Sequence, residues 1–162
     1  MAEADSNDVV REPVVDIDAL LPHVRTPRDY LDLVANPRID QDGLHTLARS
    51  PYSFVRLAVA KDIRTSAATL IELLASEFDQ WDRNYLLRLV AQHPEADRGV
   101  LLKVLQQTEV LLRQPDIRPY AAAIALANRQ ELELHEVRRL HHLPGASRRM
   151  RRGVERALAQ RP

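Results

Sequence analysis

The residues most capable of chemistry in this 162-residue chain lie in three short stretches. The first is "HEVRRLHH", residues 135–142. It has the beginning of a zinc-binding H-E-x-x-H helix, but position 139, where the second histidine belongs, is Arg139. His135 and His142, seven apart, would share a helix face with Glu131, which leaves a three-ligand set to be tested against a polar outer face. The second is "SEFDQWDRNY", residues 76–85, with the single tryptophan. Trp81 beside Asp82 is the kind of aromatic and carboxylate pair that works on a flipped base. The plainer reading makes Asp79 a helix cap and Trp81 a gap-filler. The third is "SRRMRRGVERAL", residues 147–158. On a helix from Ser147, Met150, Val154, Ala157 and Leu158 fall on one side, and Arg148, Arg152 and Arg156 on the other, flanked by Arg149 and Arg151. Such a ridge can follow a phosphate backbone, pair with an acidic protein, or serve as the solvated face of a terminal helix. No Phe, Tyr or Trp follows Tyr120, so the ridge itself carries no platform for stacking bases.

The charge of the whole chain is zero, but the zero hides a gradient. Glu3, Asp5, Asp8, Glu12, Asp16 and Asp18 face only Arg11 in the first twenty residues. From residue 138 onward Glu155 is the only acid among eight arginines. Of 23 basic residues, only Lys61 and Lys103 are lysine. The base composition of a gene is enough to produce that bias, so an arginine is not a ligand by default. With 0 Cys, disulfides, thiolate catalysis and cysteine-held metals are excluded. Residues 1–13 are acidic and read as a disordered tail. They hold no apolar stretch of the signal-peptide kind, and nothing elsewhere approaches the roughly 18 residues of a membrane span. A cytoplasmic address is the expectation. The acidic tail is expected to engage the basic end, within one chain or head to tail between chains.

The elements that would position these groups come in two interleaved series. One series contains "YLDLVANP" (30–37), "VRLAVAKDI" (55–63), "LLRLVAQHP" (86–94) and "AAIALANRQ" (122–130), with Ala35, Ala60, Ala91 and Ala127 spaced by 25, 31 and 36 residues. The other contains "DQDGLHTLA" (40–48), "SAATLIELLA" (66–75), "DRGVLLKVL" (97–105) and "LHEVRRLHH" (134–142). Its apolar pairs Leu44/Leu47, Leu70/Leu73, Leu101/Val104 and Val137/Leu140 step by 26, 31 and 36, drifting with the first series. Apolar residues at i, i+3 and i+4 make each segment a short amphipathic helix. Asp40, Thr65 or Ser66, and Asp97 are candidate N-caps, and Pro37, Pro51, Pro94 and Pro115 mark the joints. The alanines let neighbouring helices approach closely, and units that cannot cover their own apolar faces must stack.

The stretch "SPYSFVRLAVAKDIRTSAATLIELLA" resembles the leucine-rich repeat variant family through Pro51, Val55, Arg56, Ala58, Val59, Ala60, Thr65, Leu70, Leu73 or Leu74, and Ala75. Asp62-Ile63 stands where that family has Asn-Pro, which Asn36-Pro37 keeps and His93-Pro94 nearly keeps. Met150 and Arg151 take its Val-Arg positions in the last unit, so the resemblance runs roughly from Thr26 to Leu158. It implies an all-α fold, a right-handed superhelix of about four to five two-helix units over residues 14–162 with the arginine-rich helix as its cap. It implies no catalytic residue. The expected function is a non-catalytic module binding a protein partner, a scaffold or adaptor. The alternative is nucleic-acid binding through Arg148, Arg149, Arg151, Arg152 and Arg156, and the distant one a helical-repeat DNA-repair glycosylase. No cofactor or metal is assigned, and no membrane partner.

Overall fold

A computed structural model describes residues 16–114 and 116–162. The acidic tail 1–13 and the joint at Pro115 lie outside the described residues. Those residues form helices and connecting turns, with no strand among them. The helices are α1 (Ile17–Leu20), α2 (Pro27–Val34), α3 (Gln41–Leu47), α4 (Ser53–Lys61), α5 (Ala67–Ala75), α6 (Gln80–Gln92), α7 (Arg98–Leu112), α8 (Tyr120–Ala127), α9 (Leu134–Arg138) and α10 (Arg148–Ala159). A 3₁₀ turn, Arg139–His142, follows α9. No described helix is long and apolar enough to cross a membrane.

The N-caps form where short acceptors precede an apolar run. The side chains of Asp40, Ser66, Asp79, Asp97 and Ser147 accept from the backbone N–H three residues on, and so open α3, α5, α6, α7 and α10. Ser66 rather than Thr65 caps α5; the Thr65 hydroxyl is buried and donates to the Val59 carbonyl at 2.6 Å. Thr26 and Asp29 close a reciprocal box at the start of α2.

The first-series helices lie against one another in order, α2 on α4, α4 on α6, α6 on α8 and α8 on α10, while α5 lies against α7 on the second side. Between the two sides runs one apolar core to which every pair of the second series contributes, Leu44/Leu47 through Val137/Leu140, all buried. Ala60, Ala91 and Ala127 are buried between helices as their size requires. Ala35 is exposed instead, because it caps the end of α2, the first helix of the row.

A recurrent set of polar contacts ties consecutive turns of this row together. The last carbonyls of a helix have no partner within it. Here a cation or imidazole from the next turn along the row reaches back to them. Arg64 donates to Val34 O at 2.6 Å, Ile39 O at 2.8 Å and Asn36 O at 3.2 Å. His93 meets Asp62 O through Nε2 at 2.8 Å, and its Nδ1 accepts from the Glu95 N–H, which makes Nε2 the protonated nitrogen. Arg129 donates to Ala96 O, His93 O and Ala91 O at 2.7, 2.9 and 3.3 Å. Arg161 does the same for Leu132 O, Ala127 O and Leu126 O at 2.6, 2.7 and 3.4 Å. Two of these guanidinium groups are aimed by a carboxylate two residues away, Asp62 for Arg64 and Glu131 for Arg129, and both carboxyl groups are held below their ordinary range by that bond. Each arginine rung also places positive charge at the negative end of a helix dipole.

The other side has a related clamp. Arg56 donates to Ser50 O and Glu77 O at 2.7 Å each, and Arg83 to Leu74 O at 2.8 Å and to Ser76 O. Phe78 sits between the two, with Arg56 4.5 Å and Arg83 5.4 Å from its ring centre. Burial, and secondarily Arg56, push the Arg83 pKa down from its ordinary value. Arg56 thereby ties the turn before α4 to the end of α5.

Candidate functional site

The five arginines singled out in the sequence are placed together by α10. Met150, Val154, Ala157 and Leu158 are buried against the core, so Arg148, Arg149, Arg151, Arg152 and Arg156 are all left at the surface. Among the described residues none of the five has a carboxylate within 4.0 Å. Most arginines elsewhere are taken by carbonyls or carboxylates, as Arg98 is by Glu136 and Arg139 by Glu109. The structure divides the five. Arg148, Arg149, Arg152 and Arg156 line a cleft of about 600 Å³ together with Ile124 and Gly153. Gly153 makes room for it: a Cβ there would lie 3.0 Å from Ile124 Cδ1. Arg151 is outside the cleft, toward His141, whose pKa its charge helps to lower.

The exposed positions of α10 have counterparts on the other helices of the row. Counting back from Ala60, Ala91, Ala127 and Ala159, the positions three and six residues earlier are Leu57 and Phe54, Arg88 and Tyr85, Ile124 and Ala121, and Arg156 and Gly153. Of these Phe54, Tyr85, Arg88, Ala121, Ile124 and Arg156 are exposed. The outward register of α4, α6, α8 and α10 thus passes from aromatic to aliphatic to strongly basic. Arg88 lies over the Tyr85 ring, 5.1 Å from its centre. Trp81, one turn before Tyr85, is 79% exposed. It does not fill a gap between units; the reason is register, since Leu86, Leu87 and Val90 take the buried side of α6. Exposed aromatic rings, absent from the chain after Tyr120, are present on α6. Sequence reasoning missed these exposed rings because it treated the ridge by itself; the alanine register was the signal that marks Phe54 and Tyr85 as outward positions.

The other two constellations do not assemble. The α-helix that would carry His135 and His142 on one face ends at Arg138 and tightens to a 3₁₀ turn, which alters the angular step before His142. Among the described residues no three His, Asp or Glu side chains converge in metal-binding geometry. Asp82 sits in the first turn of α6, where its backbone N–H donates to the Asp79 cap at 2.8 Å. The exposure of Trp81 beside it leaves no enclosed chamber for a base at that pair.

One titratable group borders the basic end. His141 has a buried Nε2 with no hydrogen-bond partner among the described residues, and its Nδ1 lies 3.7 Å from Glu155, which Arg138 already grips at 3.0 Å through both oxygens. Burial lowers its pKa from 6.5, Arg151, His142 and Arg138 push the same way, and Glu155 opposes them. The unfolded chain therefore binds this proton more readily than the folded one. Stability is full above the unfolded value and falls as pH drops below 6.5. Urea midpoints measured across this range should decline with acid, and His141→Gln should flatten the decline. A second loss belongs lower, below 4.5, where Glu72, Glu131 and Glu136, each depressed chiefly by an arginine, take up protons.

Compared with known protein families, curated proteins and solved structures, the chain matches none.

Proposed function

We propose that the chain is a non-catalytic helical-repeat module of the leucine-rich repeat variant kind, a right-handed solenoid that binds an acidic protein partner. The observation behind this reading is the kind of side chain left outward: Phe54, Trp81 and Tyr85 are exposed, and α10 presents four arginines without carboxylate partners among the described residues. Tryptophan, tyrosine and arginine dominate the energetics of protein interfaces. The row of helices α2, α4, α6, α8 and α10 supports the repeat reading, and stacked units offer an extended surface rather than a chamber. The partner would place carboxylates in the α10 cleft and apolar side chains on α6. As scaffold or adaptor, the module needs no cofactor.

A second reading, nucleic-acid binding, is favoured by the same arginines at steps of four with the α6 rings as stacking surfaces. A labelled acidic peptide with interspersed apolar residues, duplex DNA and single-stranded RNA, each titrated across a salt series, separate the two. Protein binding predicts that the peptide wins. Trp81→Ala/Tyr85→Ala and Arg148→Ala/Arg149→Ala/Arg152→Ala/Arg156→Ala should each weaken it about tenfold or more. Tighter nucleic-acid binding with a steep salt slope would install the second reading instead. Binding of none of the three would dismiss both.

A further inference from the structure

The opposite end of the helix row carries a groove with the chemistry to receive those arginines. It has a volume of about 480 Å³ and lies between α1, the α2–α3 pair and the turn into α4, with Ile17, Tyr30, Leu47 and Tyr52 among its walls and Asp18 and Asp42 at its edge. Tyr30 and Tyr52 stand 6.2 Å apart, and Tyr52 stacks in turn on Phe54 at 5.7 Å. Aromatic faces bounded by carboxylates attract a guanidinium doubly, through the ring quadrupole and through charge-assisted hydrogen bonds. Asp42 is exposed and, among the described residues, is paired with no base. Asp18 is bound to Arg25 at 2.6 Å, and Arg49 on the same wall is neutralised by Glu72. The groove thus has an unspent negative charge beside an apolar bed, the complement of the α10 cleft.

We infer that this groove docks the arginine-bearing α10 of a second copy, so that the protein associates head to tail. The groove is built on the first helices of the contact series and α10 is the last, and the charge gradient of the sequence runs along the same direction. An interface between two different patches is heterologous, and it extends into chains of copies unless the rotation closes a ring. The inference rests on reading the α10 ridge as an acid-binding surface, and it adds a consequence: self-association occupies the ridge and competes with any other acidic partner.

Sedimentation of the full chain over a concentration series, in low and high salt, tests it. The wild type should associate as concentration rises, at least about tenfold more weakly in high salt. Arg148→Ala/Arg149→Ala/Arg152→Ala/Arg156→Ala, with its ridge removed, and Asp18→Asn/Asp42→Arg, with its groove reversed, should each stay monomeric alone. Mixed one to one, they should form a dimer and stop there, because the pair retains one intact groove and one intact ridge. Helical circular dichroism checks folding, and Asp42→Asn, at an exposed position, replaces the reversal variant if that variant fails to fold. Glu3→Gln/Asp5→Asn/Asp8→Asn/Glu12→Gln should associate like the wild type. A wild type that stays monomeric, a single variant that still associates, or a mixture that does not pair would overturn the inference. So would loss of association in the tail variant, which would make the N-terminal segment the acceptor. Binding of a labelled polyglutamate to the ridge with no self-association would sink this inference and leave the proposed function standing.

Discussion

Arg129→Ala should unfold at a markedly lower temperature than the wild type, with a loss of about 2–4 kcal/mol in urea titration. The guanidinium is 16% exposed and makes three bonds to carbonyls at the end of α6 and the following turn, with Glu131 closing its other edge. Truncation leaves Ala91 O, His93 O and Ala96 O without that donor and Glu131 without its partner. Hydrogen bonds from a charged donor are the strong class, and unpaired buried acceptors bear a desolvation cost of their own. For a domain of this length that corresponds to about 5–15 °C in the melting midpoint. Arg129→Lys should recover little, because a single ammonium cannot span three carbonyls and a bidentate carboxylate. Arg64→Ala should cost less, since Arg64 is 34% exposed and water takes over part of its work. Equal losses at the two positions would mean that the difference in exposure does not set the worth of the carbonyl contacts, and a loss near zero at Arg129 would mean that those contacts contribute little.

The arginines illustrate what the sequence discloses and what it withholds. The series of helices is legible because periodicity and caps are local: Asp40, Asp97 and Ser147 announce the starts of α3, α7 and α10, and the apolar pairs Leu70/Leu73 and Leu101/Val104 are buried as their spacing demands. The α10 ridge is legible for the same reason, as one helix with one apolar side. The role of Arg129 or Arg161 is not, because its backbone acceptors are carbonyls 29 to 38 residues away and a carbonyl leaves no mark in the sequence. Helix ends suffer similarly. The apolar pattern of α7 is clear to Leu105, yet the helix continues to Leu112 because Thr108 and Leu112 also find the core. Trp81 shows the limit from the other side. Its type suggests burial, but the neighbours at Leu86, Leu87 and Val90 decide which side of α6 faces inward, and they turn Trp81 outward.

The α8 sequence "YAAAIALA" makes the sharpest demand on packing, and Ala123→Leu tests it. Helix α8 lies against both α6 and α10, and Ala122, Ala123 and Ala127 in it are wholly buried. Its helices come close because the side chains between them are single methyl groups. A leucine at 123 adds three carbons at a wholly buried position between packed helices, so the cost should be about 1–3 kcal/mol, through displaced neighbours rather than lost contacts. Leucine is nearly as good a helix former as alanine, so propensity does not account for the loss. The displacement has a functional reading as well. Ile124, the next residue, forms part of the wall of the arginine cleft opposite Gly153, and α10 is held to the rest of the chain largely through α8. Ala123→Leu should therefore weaken binding of an acidic peptide to α10 with every arginine still in place, and a variant that loses stability but binds unchanged would show that α10 carries the site without α8. Ala121→Leu, at an exposed position of the same helix, is the matched control and should leave stability within about 0.5 kcal/mol.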